Sequence, residues 1–260
     1  MIRFRPQWPL RCAGKPGAPR TRRFGTALLF LASCMPWAVQ AHTSEEVVPG
    51  TMAARVAACT HCHGADGQAG PDGFYPRIAG KPAGYLYAQL LHFRDGTRNY
   101  EPMRYLLQGL GNQYLFDIAQ YFADLRLPHA PPARTTAPQA LLEQGRSLAI
   151  NGDTARGVPA CAACHGNAFT GMQPHIPGLL GLSRDYLAAQ LGAWRTGLRK
   201  ATAPDCMAKV VEQLTPHDIA AVSAWLAAQP VPEPYVAAPA NSFSLPIECG
   251  VTPLPGTRQP

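Results

Sequence analysis

Residues 59–63 read Cys-Thr-His-Cys-His, and residues 161–165 read Cys-Ala-Ala-Cys-His. In both, two thiols stand one helical turn apart and a histidine directly follows the second. That spacing serves one chemistry well. The thiols add across the two vinyl groups of one porphyrin, and the histidine reaches the iron as its proximal ligand. One such pentapeptide can arise by accident. Two, with His63 and His165 102 positions apart in corresponding surroundings, point to two covalently attached haems.

An iron with histidine on one side takes a ligand on the other or stays open for chemistry. Of the six methionines, Met1 and Met35 fall in the N-terminal leader, and Met52 falls in the helix expected ahead of the first motif. Met103 follows His63 by 40 residues and Met207 follows His165 by 42. Both close polar, Pro-containing segments expected as loops, Asn99-Tyr100-Glu101-Pro102-Met103 and Ala203-Pro204-Asp205-Cys206-Met207. Any single methionine is commonly a flexible packing residue. A matched pair in two repeats reads better as two distal ligands. His61, His92, Met172, His175 and His217 are weaker candidates, because none has a partner in the other repeat.

The elements that must position these groups recur. A helix through Met52, Ala53, Val56 and Ala57 leads into the first motif, and Gly64-Ala65-Asp66-Gly67 ends it. Leu86, Leu90 and Phe93 then share one face of a middle helix, and Ile118, Tyr121, Phe122 and Leu125 a face of a last one. Tyr85-Leu86, Gln89-Leu90, Phe93-Arg94, Gly96 and Ile118 reappear at an offset of 101 as Tyr186-Leu187, Gln190-Leu191, Trp194-Arg195, Gly197 and Ile219. Thr215-Pro216 is a cap-and-first-turn pair for the final helix, whose buried side is Ile219, Val222 and Leu226. A near-constant offset across separate elements predicts duplication of a whole domain.

The expected organisation is a signal peptide over 1–41, a first haem domain over 42–127 and a Pro-rich linker over 128–139. A second haem domain over 140–229 and a Pro-rich tail over 230–260 follow. The leader has an Arg-rich start, a short apolar run from Ala27 to Met35, and Val39-Gln40-Ala41 before a cut. The run is too short to span a bilayer. Leu31-Ala32-Ser33-Cys34 also resembles a lipoprotein box, which would anchor the chain through a lipidated Cys34, and Arg22-Arg23 faintly resembles a twin-arginine signal. The tail is expected as an irregular wrap over the second domain or as disorder.

The formal charge of +7 misleads. Residues 1–41 hold seven Lys or Arg and no acid, so sixteen basic and sixteen acidic residues remain beyond them. The charge gives no support for nucleic-acid binding.

The two motifs, His-Gly-Ala-Asp-Gly after the first, Pro…Gly ahead of Tyr-Leu-x-x-Gln-Leu, and a late methionine before an amphipathic last helix resemble the dihaem cytochrome c4 family over most of residues 50–229. The resemblance implies an all-α protein: two class I cytochrome c folds in tandem, packed as a pseudo-twofold pair, each with His/Met iron. It implies that Cys59, Cys62, His63 and Met103 hold one haem and Cys161, Cys164, His165 and Met207 the other. It further implies one-electron carriage in the periplasm. The donor would be a membrane quinol-oxidising complex or a dehydrogenase, and the acceptor a terminal oxidase or reductase. The chain is also similar to dihaem cytochrome subunits of flavin-containing sulfide dehydrogenases. The Pro-rich tail and the pair Cys206 and Cys249 depart from the pattern. These two cysteines are left once the haems and the leader are assigned, and in an oxidising compartment they are expected to form a disulfide. The rival reading is an enzyme: some dihaem cytochromes oxidise thiosulfate at a Cys-ligated iron, and Cys206 adjoins Met207. A dihaem peroxidase fits less well, because the chain is short for one, and a purely structural haem protein is the weakest alternative.

Overall fold

A computed structural model of the chain describes residues 50–70, 72–132 and 134–256. The expected signal peptide, its cleavage site and Cys34 lie outside the described residues. Among the described residues no helix is long and apolar enough to cross a membrane.

The first set of helices is α1 (Met52–His63), α2 (Ala83–Arg94), α3 (Glu101–Leu107) and α4 (Asn112–Asp124). Thr51 starts α1, its hydroxyl accepting from the Ala54 amide, and Gly64 ends it at φ 76°, a value that a side chain would strain. α4 turns Leu115, Ile118, Ala119 and Phe122 inward against α1 and α2, where Val56, Leu86, Tyr87 and Leu107 complete the core.

The second set is α5 (Gln139–Asn151), α6 (Cys161–His165), α7 (Arg184–Arg195), α8 (Cys206–Glu212) and α9 (Pro216–Ala227). Its sequence repeats the first, but the helix leading into the motif is divided: α5 stops at Asn151, and residues 152–160 loop back before α6. Gly145 lets α5 lie against α9, since a Cβ there would strike the Ala221 carbonyl. The expected cap of α9 is a full capping box of Thr215 and Asp218, with Pro216 in the first turn. A two-stranded antiparallel ribbon, β1 (Gly171–Met172) and β2 (Ile176–Pro177), has no counterpart in the first set among the described residues.

The two sets meet in a reciprocal seam. Arg98 and Arg199 form an isolated antiparallel bridge, with the Asn99 amide donating to the Leu198 carbonyl at 2.7 Å and the Lys200 amide to the Thr97 carbonyl at 2.8 Å. Among the described residues the protein is thus all-α apart from the short ribbon, with two helix sets in tandem.

The tail is irregular but held. The Ala238 amide donates to the Gly171 carbonyl at 2.9 Å, and the Gly250 amide to the Pro204 carbonyl at 2.8 Å. A disulfide joins Cys206 to Cys249. Further on, Leu254 packs against the core of the first set, so the wrap reaches beyond the half it was expected to cover.

Candidate haem-binding site

The first attachment motif is the last turn of α1 and the second makes up the whole of α6, so both histidines close an element and both are buried, at 8% exposure. Each imidazole is held from behind in the same way. His63 Nδ1 lies 2.8 Å from the Pro76 carbonyl oxygen, and His165 Nδ1 lies 2.8 Å from the Pro177 carbonyl oxygen. A carbonyl can only accept, so Nδ1 carries the proton and Nε2 keeps its lone pair. Burial lowers the pKa of both rings, which favours the neutral form a metal needs. Burial also raises the Cys59 and Cys164 thiols, and pushes Cys161 up to about 11. Among the described residues no cluster of three or more His, Cys, Asp or Glu could hold a bare metal ion.

Both histidines face one cavity of about 950 Å³ that runs through the two helix sets. Cys59, His63 and Met103 line its first half, and Cys161, Cys164, His165 and Met207 its second. Cys62 lies off that wall, partly buried in the last turn of α1. Apolar side chains such as Leu86, Phe122, Leu187 and Val222 form most of the remaining surface.

The methionines are not in loops. Met103 lies in the first turn of α3 and Met207 in the first turn of α8. The sequence expectation failed because Pro102 and Asp205 were read as loop residues. Proline is well tolerated where helix amides lack partners anyway. Aspartate at a helix start caps it: Asp205 accepts from the Ala208 amide at 3.0 Å, and also from the Ala201 amide at 2.6 Å and Trp194 Nε1 at 3.2 Å. Asp205 thereby ties the start of α8 to α7.

The weaker candidates separate. His61 and His217 are exposed. His92 lines the cavity, with Nε2 3.2 Å from Thr202 Oγ1. Met172 and His175 line it from the ribbon.

Sequence reasoning missed Arg98 and Arg199. Both line the cavity and are 7% and 5% exposed. Their side chains bond to glutamine and tyrosine, and among the described residues neither pairs with a carboxylate. Burial, with the Arg98 charge beside it, lowers the Arg199 pKa to about 10. A buried guanidinium without an anion is costly. An apolar slot edged by two such cations fits a porphyrin, whose faces are apolar and whose edge carries carboxylates. The signal was present in the repeat, since Arg98 and Arg199 are 101 residues apart.

Comparison with known proteins agrees with this geometry. The cytochrome c family profile matches residues 144–229. A cytochrome c4 of Pseudomonas aeruginosa is 35% identical over 188 residues, which cover 72% of this chain and 90% of that one. The chain belongs to the dihaem cytochrome c4 family. A crystal structure of reduced cytochrome c4 from Pseudomonas stutzeri superposes with a TM-score of 0.58 at 31% identity, covering 68% of this chain and 95% of that chain. The "thiosulfate dehydrogenase electron acceptor" of Thiomonas intermedia is 39% identical over 67% of this chain and 80% of its own length. As a cytochrome c4 relative, the protein carries covalently bound haem c, and Cys59/Cys62 and Cys161/Cys164 fit the attachment motif. It is a dihaem c-type electron carrier.

Proposed function

We propose that the protein is an exported one-electron carrier with His63 and Met103 on one haem iron and His165 and Met207 on the other. It takes electrons from a dehydrogenase or a quinol-oxidising membrane complex and delivers them to a terminal oxidase or reductase. The carrying observation is that a single cavity is lined in each half by a buried histidine and a repeat-matched methionine, His63 with Met103 and His165 with Met207. The haem supplies a one-electron ferrous–ferric couple, and a sulfur ligand favours its reduced form. The chain's own residues do the rest. Cys59, Cys62, Cys161 and Cys164 anchor, the Pro76 and Pro177 carbonyls fix the imidazoles, and Met103 and Met207 leave no coordination site for a substrate. The reading assigns residues 42–127 and 140–229 to the two haem domains.

A thiosulfate-oxidising dehydrogenase is the donor we favour. The support is the 39%-identical relative whose name describes an acceptor for such an enzyme. The enzymatic reading needs a free Cys206 at the second iron, and the bond to Cys249 speaks against it.

The test is direct. Protein reduced with a thiosulfate dehydrogenase and thiosulfate should pass electrons to an oxidised acceptor, and should show no turnover with thiosulfate alone. Turnover without the dehydrogenase that vanishes in Cys206→Ala would decide for the enzyme. Reduction by a flavin-containing sulfide dehydrogenase but not by the thiosulfate enzyme would reassign the donor.

A further inference from the structure

Lys81 is 4% exposed, and among the described residues it makes no ion pair with a carboxylate. It precedes α2 in the first helix set, yet its ammonium is spent on the second. Nζ donates to the Gly178 carbonyl at 2.6 Å, and the Tyr235 hydroxyl of the tail lies 3.4 Å away. Gly178 directly follows Pro177, whose carbonyl accepts from His165 Nδ1. A charge from one half thus stands behind the proximal histidine of the other, and its field reaches the His165 imidazole.

The arrangement is one-sided. At the repeat offset of 101, Lys81 corresponds to Leu182, which offers no charge in return. Arg77 stands where the second half has Gly178, but its guanidinium turns away to the Leu127, Pro128 and Ala79 carbonyls. A buried ammonium costs several kcal/mol to desolvate unless something compensates it. Packing alone would be served better by leucine, as at position 182.

We propose that Lys81 is a positioning and electrostatic residue for the second haem: it fixes the Gly178 carbonyl beside the His165 support and raises the potential of that haem above the first. The inference rests on the carrier reading above. The sign follows from charge, because a nearby cation disfavours the extra positive charge of ferric iron. The cation is also poised to titrate. Burial, with the charge of Arg77 beside it, brings the Lys81 pKa down to about 7. The ionisable groups around it are Arg77 on its own loop, His129 on the linker, and Tyr235 and Glu233 on the tail. His129 is held neutral by burial and by the charges of Arg77 and Lys81, with a pKa near 4. Burial raises the Tyr235 phenol, so it is also neutral. Glu233 is near enough to act on Arg77. Lys81 is then the group among these whose charge changes near neutral pH.

The experiment is a redox titration of the purified dihaem protein, followed by NMR and repeated from pH 5.5 to 8.5. The second haem is identified as the wave displaced in Met207→His. In Lys81→Met its reduction equilibrium should move about tenfold toward the oxidised form, about 59 mV for one electron, with the first wave unmoved. Lys81→Arg, which keeps the charge, should restore most of it. In the unmodified protein the second potential should fall as pH rises through neutrality, and the first should not. That pH profile keeps the proposal testable should Lys81→Met fold poorly. A second wave that stays within twofold in Lys81→Met, or is flat with pH in the parent, would overturn the proposal and leave the carrier reading standing. Absence of two reversible one-electron waves would overturn both.

Discussion

Arg98 and Arg199 bond crosswise: Arg98 Nη2 donates to Gln190 Oε1 at 2.5 Å, and Arg199 Nη2 donates to Gln89 Oε1 at 2.9 Å. Each guanidinium also bonds the glutamine of its own half at 2.9 Å and lies over its own aromatic ring, Phe93 at 4.3 Å or Trp194 at 3.7 Å. Four residues from two repeats therefore form one network. Arg98→Leu or Arg199→Leu should lower stability by about 2–3 kcal/mol, since each removes two charge-assisted hydrogen bonds to part-buried amide oxygens. The double variant should cost more than the sum by about 1 kcal/mol, because each glutamine oxygen keeps one guanidinium donor in either single variant and loses both only in the double. Urea unfolding of the dihaem protein measures both, and simple additivity would show two independent sites.

The methionine assignment predicts a spectrum. Oxidised protein should show the weak near-infrared sulfur-to-iron band, and Met103→His or Met207→His should each remove about half of it and lower one potential. If Met103→Ala left both potentials untouched, Met103 would be a packing residue of the first core, against which it also lies.

The disulfide between Cys206 and Cys249 spans 43 residues. Closing a loop of that length should stabilise by about 4 kcal/mol in the chain-entropy model. Mild reduction, or Cys249→Ser, should lower the unfolding midpoint accordingly. It should also speed replacement of Met207 by added imidazole at the second iron, because Cys206 and Met207 are adjacent in the first turn of α8. Equal imidazole rates before and after reduction would limit the bridge to global stability.

Asp218 should shape the acid limit of folding. Its carboxylate is 3% exposed. Burial alone would raise its pKa, but bonds from Arg156 at 2.7 Å, from the Thr215 amide and hydroxyl, and from Gln144 together hold it well below the usual carboxylate range. A depressed folded value stabilises above the unfolded value of about 3.9, and that contribution is lost as pH falls through the folded one. Asp218→Asn should cost about 2–3 kcal/mol at neutral pH, less than for a wholly buried pair because the Arg156 side chain is 37% exposed. It should also flatten the decline of stability below pH ~4. An unchanged acid limb, followed by circular dichroism, would place that decline elsewhere.

Much of this was legible in the residues. The attachment motifs, the repeat offset, the last helix of each half and its Thr215 cap follow from local spacing and local chemistry, which act within one element. What was not legible depends on contacts between distant segments. Met103 and Met207 were expected in loops, since Pro102 and Asp205 break helices in the interior but start them at the end. The split between α5 and α6 was hidden because His63 and His165 keep nearly the same offset as the helices that follow. Lys81 reads as an ordinary surface lysine until Gly178, 97 residues on, is placed against it. Arg98 and Gln190 come from different repeats, so the pair is informative only once both halves are placed together.

The supports behind His63 and His165 are main-chain oxygens, and this bears on how the protein can vary over evolutionary time. A side-chain acceptor can be deleted by one codon change. The oxygens at positions 76 and 177 persist whatever residue is encoded there, so no single substitution can simply remove them. Inherited change can reach the imidazoles only by displacing the loops that carry those oxygens. Divergence between the two halves should therefore collect in the loop scaffolding and leave the attachment motifs alone.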